Sequence, residues 1–328
     1  MAEKRFFTSR AVLVGALLLY LFSMPLSAEQ KIHKTFDVRP GGTLLLETER
    51  GSITVTTAKQ NTVSVEVTLS ARRGNERKII DAFEVSFDHR GADVAIEGEF
   101  RSSWLNRRAR NYLRVHYEIT VPEKYNVDLK TSGGDIHIAD LTGDVLCTTS
   151  GGDLELGTIK GGVRGRTSGG DISLQASEGV AEIRTSGGDI YIGKVASRVD
   201  AKTSGGSIKI DRALGPVIAR TSGGDIIVDE VLAEVDAKTS GGTIRVTISR
   251  QPEHDSRLAT SGGSITVRLA PGLNLDVDAK TSGGSVKTDI PMTVLGKMSK
   301  SRINGKIGDG GPGMYLKTSG GSIHIVSD

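Results

Sequence analysis

The sequence predicts an all-β protein: a single-stranded β-solenoid, or β-helix, of about 18-residue coils with an irregular β cap at its N-terminal end. Two observations carry the prediction. Ten copies of Thr-Ser-Gly-Gly begin at Thr131, Thr149, Thr167, Thr185, Thr203, Thr221, Thr239, Thr260, Thr281 and Thr318. The first seven starts lie 18 residues apart, the next two intervals are 21 and the last is 37. A regular short period marks one unit stacked on copies of itself. Paired apolar residues two positions apart flank the copies, the spacing that turns strand side chains to one side.

Within a coil, apolar residues stand four and two positions before the Thr, as in Val127 and Leu129, Val199 and Ala201, or Val235 and Ala237. They return five and seven positions after it, as in Ile136 and Ile138, Ile190 and Ile192, or Ile226 and Val228. Ser-Gly-Gly between the pairs predicts a tight corner whose glycines take the positive φ that a sharp turn requires. On that reading Gly187 is left-handed, and Gly187→Val destabilises by more than ~2 kcal/mol. A second, looser turn is expected near Ala139–Gly143, Ala176–Gly179 and Ala213–Gly215. Each coil then runs strand, tight corner, strand, looser corner, and depends on its neighbours to complete its core. Handedness and the number of sides stay open.

Residues 1–28 read as a secretory signal peptide: basic Lys4, Arg5 and Arg10, an apolar run over 11–22, and a small-residue end at Ser27-Ala28. Cleavage after Ala28 is expected. The alternative is an uncleaved membrane anchor, since residues 11–28 form 18 uncharged positions. Residues 29–125 read as irregular first coils and a cap. Thr48–Val55 compares with Thr260–Val267, which suggests a coil with a degraded corner, and Glu76–Ala82 reads as a short helix. Residues 126–328 form the repeat solenoid, with 29–328 read as one continuous domain. Thr288–Met314 is expected to be a long loop or a decayed coil, and Ser322–Val326 the last strand of the stack. An unshielded last strand invites weak end-to-end self-association, unless Thr288–Met314 folds over it.

Three stretches make the resemblance to a known family specific: Phe-Asp-Val-Arg-Pro-Gly-Gly-Thr-Leu at Phe36–Leu44, Gly-Ser-Ile-Thr-Val at Gly51–Val55, and Tyr-Glu-Ile-Thr-Val-Pro at Tyr117–Pro122. Repeated Ser-Gly-Gly-Asp-Ile follows them. The chain resembles the bacterial putative-adhesin family of unknown function over nearly all of Phe36–Val326. The resemblance implies an envelope-associated β-solenoid. Its motifs are structural corners, so it carries over no functional residue.

Charge excludes one broad class of partner. The net charge is +3, but Lys4, Arg5 and Arg10 against Glu3 supply +2 of it, leaving 39 basic and 38 acidic residues in the remainder. That balance gives no support to a generic polyanion-binding role, and no nucleic-acid partner is expected. A Lys or Arg precedes most corner threonines, with an acid often two residues earlier, which predicts exposed salt-bridge rows. The only cysteine, Cys147, stands in an inward column and reads as a small core residue.

Three groups of residues are candidates for a site. The Asp after the corner (Asp135, Asp153, Asp171, Asp189, Asp225) alternates with Ser and Thr in other copies, which fits capping of turn backbone. A calcium ladder through Asp135, Asp153, Asp171 and Asp189 is the weaker alternative. The corner threonines share the apolar parity, which favours internal hydroxyl ladders over a surface array for ice or sugar. The stretch Arg101–Arg114 holds five arginines and the only tryptophan. Arg101, Trp104, Arg107, Arg108 and Arg110 are its candidate ligand-binding residues, suited to phosphate, anionic lipid or glycan; a solvated loop is the plainer reading. The six histidines show no metal spacing, and no cofactor is expected. The expectation is an exported, non-catalytic envelope protein, periplasmic or at the cell surface, with an adhesin-like or structural surface toward an envelope glycan, lipid or protein. The alternative is a polysaccharide-acting lyase or hydrolase on a β-helix scaffold.

Overall fold

The computed structural model describes residues 29–72, 75–101, 110–295 and 299–328; the signal-peptide reading falls outside them. Strands leading into the corners build a 15-stranded sheet, here the approach sheet, and strands leaving them a 14-stranded exit sheet. In one coil, Ala181–Arg184 approaches the corner, Ile190–Val195 leaves it, and Val199–Lys202 begins the next coil. Successive coils pair in parallel, residue for residue: Ala181 opposite Val199, Ile190 opposite Ile208. The inward columns expected from the period are buried, among them Ile190, Ile192, Val199 and Ala201. Among the described residues, no helix is long and apolar enough to cross a membrane.

A further inward column corrects the expected turn. The exit strand continues past its two apolar residues to Ile159, Ser177, Val195, Ala213, Val231, Ile248 and Leu269, all buried. From Ile159 to Val231 they lie three positions after the preceding inward residue, so the strand bends and its parity shifts; Ile248 and Leu269 follow at two, without the shift. Ala176 and Ala213 therefore belong to strands, and the looser turn begins one or more residues later.

The corner glycines also differ from expectation. Of the twenty, Gly134 alone has a positive φ, at 136°. Gly187 is not left-handed, and a Cβ there would lie 3.3 Å from the nearest atom, the Gly169 carbonyl oxygen. At the second glycine the constraint is severe: a Cβ on Gly188 would lie 2.1 Å from the Gly170 carbonyl oxygen. Close stacking of coils, rather than turn conformation, requires glycine here.

At the N-terminal end, Thr43–Thr48 and Ser52–Ala58 form the degraded coil, with Thr48 in register with Thr131. Asp93–Phe100 and Leu113–Pro122 make the next layer outward. Thr62–Ala71 and Phe83–Arg90, joined through the helix Glu76–Asp81, add antiparallel strands, and Glu29–Asp37 forms the edge of the exit sheet. The Asn75 side chain caps that helix by accepting from the Lys78 amide at 3.2 Å.

The C-terminal end departs from chain order. Gly313–Lys317 and Ile323–Ser327 insert between the coil of Thr260 and the coil of Thr281. Met314 pairs with Ser256 on one side and Val277 on the other; Ile323 pairs with Ile265 and Val286. The last strand is thus internal, not terminal. Arg302–Ile307 lies antiparallel on Leu275–Lys280, and Thr293–Val294 lies on Arg302–Ile307. The stretch expected as a loop or decayed coil therefore supplies edge strands of the approach sheet.

Candidate functional site

Corner side chains are occupied in holding coils together. Thr167 and Thr185 each donate their hydroxyl at 2.9 Å to a carbonyl one coil back, Gly152 and Gly170 respectively. The threonines thus form internal ladders through backbone carbonyls. The Asp135 carboxylate accepts the Asp153 amide at 3.0 Å, Asp153 that of Asp171 at 2.8 Å, Asp171 that of Asp189 at 2.7 Å, and Asp189 that of Ser207 at 2.7 Å. Each acid caps the equivalent residue of the next coil, which accounts for exchange with Ser: Ser207 accepts the Asp225 amide at 3.2 Å. Among the described residues, no three His, Cys, Asp or Glu side chains come together as a metal site. Cys147 is buried, and burial pushes its thiol up to about 12, away from the reactive thiolate.

Described strands of the cap layer flank the arginine-rich stretch, Asp93–Phe100 before it and Leu113–Pro122 after it. Glu97 and Gly98 stand opposite Glu47 and Thr48, and the exit strand resumes at Leu113. Trp104, Arg107 and Arg108 lie outside the described residues. Arg101 is engaged with Glu84, a charge-assisted pair that holds the Glu84 carboxyl below its ordinary range. The Arg110 guanidinium lies 4.7 Å from the Phe100 ring centroid and 3.6 Å from Glu49. Arg101 and Arg110 are thus engaged with cap residues on either side of the undescribed segment.

Beside them lies a surface groove of about 600 Å³, lined by basic and hydroxyl side chains with no acid among them. Arg50, Arg72, Arg114 and His116 converge there with Ser70 and Asn111. Arg50 belongs to the degraded corner, Arg72 follows the strand Thr62–Ala71, and Arg114 and His116 stand at the start of Leu113–Pro122. Arg50 donates to the Asn111 side-chain oxygen at 3.1 Å, and partial burial lowers its pKa. His116 lies 3.2 Å from Glu118, outside the groove lining. Two guanidinium forks, Arg72 and Arg114, have no ion-pair partner among the described residues. The arrangement suits a carboxylate, phosphate or sulfate, whose oxygens accept bidentate Arg hydrogen bonds. Sequence reasoning missed this set because its members come from three separated segments. The one local signal was the break from Thr-Ser-Gly-Gly to Thr-Glu-Arg-Gly at Thr48–Gly51, which puts an arginine in a corner.

A family model described as Toastrack DUF4097 matches residues 43–326. Comparison with curated proteins gives no match. Among solved structures, a putative adhesin from Parabacteroides merdae is similar over 91% of this chain and 96% of its own, at 10% identity and a TM-score of 0.42. One from Parabacteroides distasonis covers 91% and 97% at 11% identity and a TM-score of 0.37. One from Bacteroides fragilis covers 91% and 97% at 15% identity and a TM-score of 0.33.

Proposed function

The chain belongs to the Toastrack DUF4097 family, and from that premise we propose that it is an exported, non-catalytic envelope component with an adhesin-like binding surface. The supporting observation is the cap groove, where Arg50, Arg72, Arg114 and His116 meet without an acid in the lining. Donors of that kind hold an anionic group of an envelope glycan, lipid or protein. The signal-like residues 1–28 support export, with an uncleaved anchor as the alternative form of attachment. The corner carboxylates, which a polysaccharide-acting enzyme would need as acids and bases, each accept a backbone amide of the next coil.

Co-sedimentation with isolated bacterial envelopes tests the reading. The protein obtained by expressing the full chain is expected to pellet with envelopes and to release no soluble sugar. Arg72→Ala/Arg114→Ala is expected to leave it mostly in the supernatant with an unchanged melting temperature. Release of sugar fragments, or equal pelleting by the variant, would count against it. N-terminal sequencing of the same preparation should begin at Glu29 if the signal is cleaved, and at the initiator region if it is an anchor.

A further inference from the structure

The outward files of the two sheets are built on different rules. On the exit sheet, registered neighbours in adjacent coils are mixed: Arg212 meets Glu230 at 3.0 Å on one side and stands opposite Lys194 on the other, and uncharged residues such as Ile227 and Thr266 separate the cations of the other file. On the approach sheet, the file just before the corners keeps one sign between Thr148 and Ala259. Arg166, Arg184, Lys202, Arg220 and Lys238 stand side by side in five successive coils. After Ala259 the same file resumes with Lys317, Lys280 and Arg302, because the inserted C-terminal coil keeps the register.

Strands in a sheet stand ~4.8 Å apart, and like charges placed directly opposite one another destabilise a ladder. The column two residues earlier relieves this only in part. Arg220 reaches Asp236 at 2.6 Å, but Asp200 alone serves Lys202 at 3.0 Å, Arg184 at 3.7 Å and Arg198 at 3.9 Å. Arg166 and Lys238 have no ion-pair partner among the described residues, and the Arg184 Nε is buried without a hydrogen-bond partner. Alternating signs would keep the surface solvated without that repulsion. The near-neutral balance of the chain hides the file, because compensating acids such as Asp153, Asp171 and Asp189 lie across the corner.

We infer that this file is a track for a linear acidic polysaccharide, laid along the stacking axis with its carboxylates facing successive coils. An extended chain with one charge per sugar relieves the repulsion at every coil it crosses. Single-stranded nucleic acid fits less well, because it needs repeated aromatic platforms for its bases. Along the file the approach sheet offers Tyr315 alone, and Arg257 already lies 5.4 Å from that ring centroid. The track extends the binding reading to a second surface, separate from the cap groove, and the test keeps the two apart.

The protein from the full chain is titrated with polygalacturonate fragments of graded length. Affinity is expected to rise with length until the fragment spans the file, and to fall with added salt as counterion release requires. Arg166→Ser/Arg220→Ser/Lys238→Ser should weaken the longest fragment by about tenfold or more. Arg245→Ser/Arg268→Ser/Lys287→Ser, which removes the same charge from the exit sheet, should change it by less than about twofold. Arg72→Ala/Arg114→Ala should leave this binding intact even where it abolishes envelope association. If the Ser variant melts early, Gln at the same three positions replaces it. Equal loss in both triple variants, affinity independent of length, or tighter binding of oligothymidylate would each overturn the assignment.

Discussion

Thr185 and Gly188 occupy one corner and meet the same neighbouring residue, the carbonyl of Gly170, in opposite ways. The Thr185 hydroxyl needs that oxygen at 2.9 Å, and Gly188 needs to carry nothing that would strike it. Thr185→Val leaves the carbonyl without its side-chain donor and should destabilise by ~1 kcal/mol, with Ser restoring much of the loss. Gly188→Ala forces coils apart and should destabilise by more than ~2 kcal/mol, whereas Gly187→Ala should stay within ~1 kcal/mol. Chemical denaturation of the four variants checks both statements; equal effects at Gly187 and Gly188 would mean that contact with the coil beneath does not set the demand for glycine. The need for glycine was legible in the repeated Gly-Gly. Its cause was not, because a sequence shows a residue's own backbone freedom but not the carbonyl of the coil beneath it.

At the level of the element, strands with two inward residues were read correctly wherever the spacing was two. The third inward column escaped because it follows at a spacing of three and accepts Ile159, Ser177 and Ala213 alike. No alternation survives a parity shift of that kind. The cap arginines posed the reverse problem. A dense run at Arg101–Arg114 drew attention, while Arg50, marked only by its broken corner, and Arg72 were not linked to Arg114 until register brought the three segments together.

Exposed ion pairs also tie the cap strands to their neighbours, and they give the cap a pH dependence. Lys31 in Glu29–Asp37 meets Glu66 at 2.8 Å, and Arg101 holds Glu84 in Phe83–Arg90. Hydrogen bonds to these cations depress both carboxyls, and the Glu66 pair raises Lys31. A depressed carboxyl contributes stability above its unfolded value, ~4.3, and loses it as the pH falls through the folded value. The raised Lys31 contributes below ~10.4 and loses its share only as the pH climbs through its folded value. Hydrogen exchange, corrected for intrinsic rates, should therefore show the strand Glu29–Asp37 losing protection at about pH 3 relative to pH 6. The coils over 181–213 should keep theirs. Uniform loss along the chain would show that these pairs do not fasten the cap.

For the molecule as a whole, the stacked, two-sheet architecture was legible in the period alone. The order of the last coils was not. Thr281 and Thr318 head equivalent corners with equivalent apolar flanks, so either coil fits on the coil of Thr260. What decides between them is the antiparallel strand Arg302–Ile307, which pairs with Leu275–Lys280 and keeps that coil at the end of the stack. Self-association through the C-terminal strand consequently loses its original geometry, since Ile323–Ser327 is paired on both sides. Among the described residues, Glu29–Asp37 is the edge of the exit sheet at the N-terminal end, and its Lys31 and Lys34 are the kind of charges that discourage edge pairing.

Register and stacking order underlie the threonine ladders, the steric demand at Gly188 and the one-sign file alike, so cysteine cross-linking at the C-terminal end is the measurement to make. His324 is registered with Thr266 on one side and Lys287 on the other. Thr266→Cys/His324→Cys and His324→Cys/Lys287→Cys should each form an internal disulfide on mild oxidation, with buried Cys147 a bystander. Thr266→Cys/Lys287→Cys should not, because two sheet spacings place those positions ~9.6 Å apart, past the ~7 Å limit for a disulfide. A disulfide in that last variant and none in Thr266→Cys/His324→Cys would mean that the coils stack in chain order, contradicting the inserted coil; His324→Cys/Lys287→Cys is adjacent in either order and serves as the positive control.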